Sequence, residues 1–176
     1  MKKSLVGVWV GIFLAAVSMG HAAVTDATPA TSPAGDRFEI GQAMPPWESL
    51  DDQGKAWKSA EHVGNKVIVL YFYPGDFTGG CIRQAQAFRE GLGRLENLDV
   101  EVIGVSGDDV ATHKLFKESH GLKHTLLADP EGKLAKLLGA PIGKGAKVRT
   151  RDLTGKPLID EKGKSIFVQR SVTLPR

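Results

Sequence analysis

The stretch Lys66–Tyr73 (KVIVLYFY) constrains the fold of this 176-residue chain more than any other. It is an unbroken run of β-branched and aromatic residues, read as a central strand buried on both faces of a sheet. Pro74-Gly75 ends it. From Cys81, apolar or small residues recur at Ala85, Phe88, Leu92 and Leu95, a 4-3-4-3 spacing that marks one face of an amphipathic helix. Asp99–Ser106 (DVEVIGVS) reads as a second buried strand. Asp108-Asp109 can cap a helix running to about Ser119, with Val110, Leu115 and Phe116 inward. His124–Ala128 is a third strand and Gly132–Leu138 a short helix. Strand alternates with helix, so the class is α/β, with a mixed, mainly parallel sheet covered on both faces.

Shorter elements flank this unit. Asp51-Asp52-Gln53-Gly54 is a hairpin turn between Trp47–Leu50 and Lys55–Lys58, with Trp47 and Trp57 packed across it. After Gly139, Val148–Leu153 and Pro157–Ile159 flank a turn at Thr154-Gly155-Lys156. A second turn at Glu161–Lys164 leads into a strand over Ser165–Val168. At the start, Met1-Lys2-Lys3-Ser4 precedes an uncharged run, Leu5–Met19, and small residues at Gly20 and Ala22. This is the pattern of a secretory signal peptide over residues 1–22, and it implies a periplasmic or secreted protein. Ala23–Asp36, rich in Ala, Thr, Pro and Ser, reads as a flexible leader, and residues 37–176 as the folded domain. No stable membrane association is expected once the first segment is cleaved.

Hydrophobic residues at 41% and charged residues at 24% exclude a wholly disordered chain and a multi-span membrane protein. The net charge is only +3, and Lys2 and Lys3 in the leading segment supply two of those charges. That balance gives no electrostatic reason to invoke nucleic acid. The basic cluster Lys144, Lys147, Arg149 and Arg151 lacks interleaved aromatic residues and reads as a solvated hairpin. The histidines 62, 113, 120 and 124 read as ordinary surface residues rather than metal ligands.

Cys81 is the only cysteine, which excludes an intramolecular disulfide and a four-thiolate metal centre. It stands at the first turn of a helix that follows a buried strand, where unpaired N–H groups and the positive end of the helix dipole favour a thiolate. Thr78 lies three residues upstream, its hydroxyl within reach of the sulfur or a bound oxygen. Gly79-Gly80 permits close approach of a ligand to the backbone, and Pro74 shields the loop. Loops at the carboxyl ends of parallel strands are where α/β proteins place ligands. A small buried core cysteine is the competing reading.

The stretch Tyr71–Cys81 (YFYPGDFTGGC) resembles the active-site segment of the peroxiredoxins, which carry Pro-x-x-x-Thr/Ser-x-x-Cys after a hydrophobic strand. The wider chain resembles the subgroup called bacterioferritin comigratory protein or PrxQ. Phe38–Gly41, Pro45-Pro46, Val105-Ser106 with Asp108, Thr125–Pro130 and Leu138-Gly139 carry that likeness. The resemblance implies a thioredoxin-like fold and thiol peroxidase activity. Cys81 would be the peroxidatic nucleophile, Thr78 a hydrogen-bond partner of the peroxide and Pro74 the cover of the site. No cofactor or metal is implied. The implied partners are a peroxide, either hydrogen peroxide or an organic hydroperoxide, and an external thiol reductant.

The chain departs from that subgroup in two respects. Gln86 stands five residues after Cys81, where many members carry a resolving cysteine, so a one-cysteine enzyme is expected. The subgroup also brings an arginine to the thiolate from a later strand. Arg170 and Arg176 are the candidates, and register favours Arg176. The resemblance further implies a strand, a turn and a helix beyond that arginine, which this chain does not contain, so a C-terminally shortened domain is expected. Thiol–disulfide exchange is disfavoured by the missing Cys-x-x-Cys. A catalytically idle or redox-sensing binding module on the same scaffold is the remaining alternative.

Overall fold

The computed structural model describes residues 41–174. The expected signal peptide and leader, the first residues assigned to the domain and Arg176 lie outside the described residues. The first strands, β1 (Glu48–Asp51) and β2 (Ala56–Lys58), form the expected hairpin. Its turn is fixed from within. Asp52 is buried and accepts hydrogen bonds from the Lys117 ammonium at 2.8 and 2.9 Å and from the Leu126 N–H at 3.1 Å. Trp47 and Trp57 stack with centroids 4.7 Å apart, as the sequence suggests.

A single turn of helix, α1 (Ser59–His62), leads into β3 (Val67–Phe72). The helix α2 (Gly79–Glu96), the strand β4 (Val100–Ser106), the helix α3 (Val110–His120), the strand β5 (Thr125–Ala128) and the short helix α4 (Lys133–Leu137) follow. These match the sequence-based elements closely. Asp109 caps α3 by accepting from the Thr112 N–H at 2.8 Å, and Gly121, at φ +60°, closes its other end.

The five-stranded sheet runs β2-β1-β5-β4-β3, with β5, β4 and β3 parallel and β1 antiparallel to both its neighbours. The sheet is thus mixed, as expected. Alternation along the strands splits the core between two faces. Ile103, Val105 and Leu127 pack with Trp57, Leu134 and Ala135 on one side. Leu126 packs with Ala85 of α2 and Phe116 of α3 on the other.

One expectation needs correction. Among the described residues Lys66–Tyr73 does not form a central strand: β3 lies at the edge of the sheet, and nothing pairs with its outer side. Val67, at 61% exposure, shows the consequence. The apolar run still packs on both faces. Ile68, Leu70 and Phe72 lie against the first cluster, while Tyr71 stacks on Phe88 of α2 and on Tyr73.

Beyond Gly139 the chain forms two small antiparallel pairs. β6 (Gly143–Lys144) pairs with β9 (Val172–Thr173), and β7 (Lys147–Arg149) pairs with β8 (Phe167–Gln169). The two expected turns are present, bracketed by the bridges Arg151↔Pro157 and Ile159↔Ser165. The basic cluster lies on this module, where Lys147 and Arg149 stand 5.2 and 5.3 Å from the Phe167 ring centroid. No helix among the described residues is long and apolar enough to cross a membrane.

Candidate active site

Cys81 occupies the third position of α2, where the N–H groups of the opening turn have no acceptor within the helix. Its side chain is only 2% exposed. Thr78 is the N-cap residue, but its hydroxyl makes no cap bond. It donates instead to the Gly75 carbonyl at 3.2 Å, which folds the loop back on itself. The loop between β3 and α2 thereby holds Thr78 and Cys81 on successive turns of one short segment, at the carboxyl end of a parallel strand.

The sequence leaves Arg170 and Arg176 open, and Arg176 lies outside the described residues. Arg170 reaches the loop. It leaves the chain between β8 and β9, its N–H bonded to the Ala146 carbonyl at 3.3 Å. Its guanidinium donates to the Pro74 carbonyl at 2.7 Å and is almost fully buried. Gly75 makes this approach possible: at φ +149° it holds a glycine conformation, and a Cβ there would run into the Arg170 guanidinium.

Phe77 carries the strain of the loop, with φ +60° for a bulky residue. Its ring is 2% exposed and meets Phe116 edge-on, centroids 5.1 Å apart, so α3 packing holds it there. The side chain is a packing element of the loop.

Beneath the loop lies a polar cluster that the sequence does not announce. Asp76 is fully buried. Its carboxylate accepts from the Tyr73 hydroxyl at 2.8 Å and meets His113 Nδ1 at 2.8 Å. The Asp76 N–H donates to the Asp108 carboxylate at 2.8 Å, and the Ser106 hydroxyl donates to the same carboxylate oxygen at 2.6 Å. Arg170 Nε stands 3.8 Å from the other Asp108 oxygen, and among the described residues neither atom has a hydrogen-bond partner. Burial, and then the charge of Asp76, push the Asp108 carboxyl up to about 6, against the pull of its hydrogen bonds and of His113. Burial, followed by the charges of Asp76 and Cys81, raises the Tyr71 phenol as well.

His113, His120 and His124 are therefore not surface histidines. Each is nearly or wholly buried. On α3, Thr112, His113, Phe116 and His120 form the buried face, whereas Val110 and Leu115 are only half-buried. Single polar residues on a helix carry no sequence mark of partners 37 positions away, as Asp76 is from His113. Among the described residues no three His, Cys, Asp or Glu side chains converge into a metal-holding group.

The comparison with known families decides the assignment, since the AhpC/TSA family model matches residues 40–164. The chain belongs to the AhpC/TSA family. Peroxiredoxin Q, chloroplastic, of Suaeda salsa is 43% identical over 99 residues, 56% of this chain and 46% of that protein. Peroxiredoxin Bcp of Bacillus subtilis is 46% identical over 98 residues, 56% of this chain and 62% of that protein. The chain spans about half the length of the curated relatives it matches. The crystal structure of Peroxidoxin BcpB from Mycobacterium tuberculosis superposes with a TM-score of 0.55 at 27% identity, covering 74% of this chain and 84% of that one. The resemblance to PrxQ and bacterioferritin comigratory proteins thus holds, as does the thioredoxin-like fold. The single cysteine sets this member of the family apart from those with a resolving thiol.

Proposed function

We propose that this chain is a one-cysteine thiol peroxidase with Cys81 as its nucleophile. The observation that carries the reading is the meeting of Cys81, Thr78 and the Arg170-bound Pro74 turn in one short loop at the carboxyl end of β3. The Cys81 thiolate attacks the terminal oxygen of a peroxide in line. An S–O bond forms as the O–O bond breaks, and the departing alkoxide or hydroxide takes up a proton to leave as alcohol or water. In this reading Thr78 and the opening N–H groups of α2 hold the two oxygens, and Arg170 stabilises the charge that develops between them.

The product is a Cys81 sulfenic acid, two electrons more oxidised than the thiol. With no second cysteine in the chain, an external thiol must attack it, forming a mixed disulfide and releasing water. A second thiol then releases Cys81 and leaves the reductant oxidised. A thioredoxin-like protein or a small thiol suits this role, and hydrogen peroxide or an organic hydroperoxide suits the substrate. With residues 1–22 read as a signal peptide, the reaction takes place in the periplasm or outside the cell, where the cytosolic reducing pool does not reach.

Rapid mixing of the reduced protein with hydrogen peroxide tests the reading. A second-order rate far above that of free cysteine, abolished by Cys81→Ser, is the expected result. A rate equal to that of a free thiol would overturn it. The redox-sensing alternative draws on the near-complete burial of Cys81, and it predicts one oxygen gained per chain without continued peroxide consumption when thiol is supplied.

A further inference from the structure

We propose that His113 is a positioning residue for the Cys81 loop, acting through Asp76 on the Pro74–Thr78 turn. The inference rests on the peroxidase reading. The geometry around the ring comes first. Nδ1 faces the Asp76 carboxylate at 2.8 Å, and Nε2 faces the Leu127 carbonyl at 3.2 Å. A carbonyl only accepts, and so does an ionised carboxylate. Both ring nitrogens therefore meet acceptors, and the ring satisfies both only when each carries a proton. The site holds an imidazolium inside the core.

The charges around it explain why. Asp76 comes from the loop and Asp108 from the end of β4, both fully buried. Tyr73 contributes a hydroxyl from the end of β3, Ser106 another from β4, and β5 contributes only the Leu127 carbonyl. Two buried carboxylates joined through one backbone N–H repel each other unless cations sit nearby. Among the described residues His113 from α3 and Arg170 from the C-terminal module stand within ion-pair distance of them, and the His120 imidazole of α3 also feels the charge of Asp76. Burial opposes the charged ring, but Asp76, Asp108 and the Leu127 carbonyl hold its proton more tightly than in an ordinary histidine.

Asp76 is also the residue on which the loop turns. Its neighbours on one side, Pro74 and Gly75, present the carbonyls that bind Arg170 and Thr78. Its neighbour on the other, Phe77, is the strained residue that packs on Phe116, three positions along α3 from His113. α3 therefore grips the loop twice, once by charge and once by ring packing. Loss of the His113 charge leaves Asp76 unpaired against Asp108. The turn then shifts, and Thr78 and Arg170 lose register with the sulfur.

The test compares two reactions of Cys81. His113→Gln is expected to slow peroxide reduction by about tenfold or more, since small misplacements of reacting groups are costly in rate. Alkylation of the same sulfur by iodoacetamide needs neither Thr78 nor Arg170 in register, and should change by less than about threefold. The double variant D76N/H113Q removes the unpaired carboxylate and should recover much of the lost peroxide rate. A folded His113→Gln protein that matches the parent within about twofold would overturn the inference, as would a peroxide loss mirrored in alkylation. The ring itself is read by nitrogen NMR of the parent protein, which does not depend on the variant folding. Both His113 nitrogens protonated at pH 7.5 is expected, and a single neutral tautomer would overturn the proposal. A parent protein no faster than free cysteine would instead overturn the peroxidase reading and leave the ring protonation to be judged by itself.

Discussion

Phe77 holds backbone strain in the loop that precedes Cys81, and its environment shows what maintains it. A bulky residue at φ +60° is disfavoured by roughly 1–2 kcal/mol relative to glycine, and burial against Phe116 offsets that cost. Truncation separates the two effects. Phe77→Ala loses the ring and keeps the strain, so it should cost about 3–5 kcal/mol of unfolding free energy. Phe77→Gly loses the same ring but relieves the strain. Elsewhere glycine is the worse residue by roughly 0.5–1 kcal/mol. Here urea unfolding should find the glycine variant at least as stable as the alanine one, and the ordinary order would mean that the loop relaxes freely. At this scale the sequence is legible where the proposed site is local. Pro74, Thr78 and Cys81 stand in one run of eight residues, so the motif shows them directly. His113 and Arg170 stand 32 and 89 positions beyond Cys81, and only the completed fold brings them to the loop.

Among the elements, α3 does more than cover the sheet. Its first turn carries Thr112 and His113, its middle carries Phe116, and its last turns carry Lys117 and His120. Lys117 reaches Asp52 in the first hairpin while His113 reaches Asp76 in the loop, so one helix ties the two ends of the sheet's chain path together. The Asp109 cap fixes where that helix starts. Asp109→Ala should lower stability by about 1 kcal/mol, Asp109→Ser should restore most of it, and chemical denaturation will resolve the pair. Because His113 lies one turn past the cap, the alanine variant should also react more slowly with peroxide while still folded, and an unchanged rate would mean that the cap and the loop are uncoupled. Helix positions and caps were readable because they are written in local spacing and in Asp108-Asp109. The place of β3 in the sheet was not. An apolar run shows that both faces are covered, but the number of neighbouring strands depends on chain far away in sequence.

For the whole molecule, the buried histidines set opposing responses to acid. His124 is nearly buried, its Nε2 2.8 Å from the Tyr71 hydroxyl and its Nδ1 without a partner among the described residues. Burial, then the charge of Lys117, push its imidazole down to about 4, with Asp52 pulling weakly the other way. Burial holds His120 below its ordinary value as well. The neutral forms thus belong to the folded state. Their stabilisation is complete above the unfolded value near 6.5 and fades as pH falls below it, for His124 through the window from 6.5 to about 4. Asp108 and His113 act in the opposite sense. Both are raised, so the folded state binds their protons more tightly, and their contribution shrinks as pH rises. For His124 alone the shift corresponds to about 2–3 kcal/mol lost between pH 7 and pH 4.5. His124→Gln removes that titration. Its absolute stability will fall because a packed ring is lost, so the informative quantity is the difference between the two pH values. The parent should lose about 2–3 kcal/mol more than the variant over that interval in urea titrations. Equal losses would show that His124 stays open to solvent, free to take its proton without cost. A larger loss in the variant would instead reveal that the imidazolium is welcome beside Tyr71 and that Asp52 outweighs the burial.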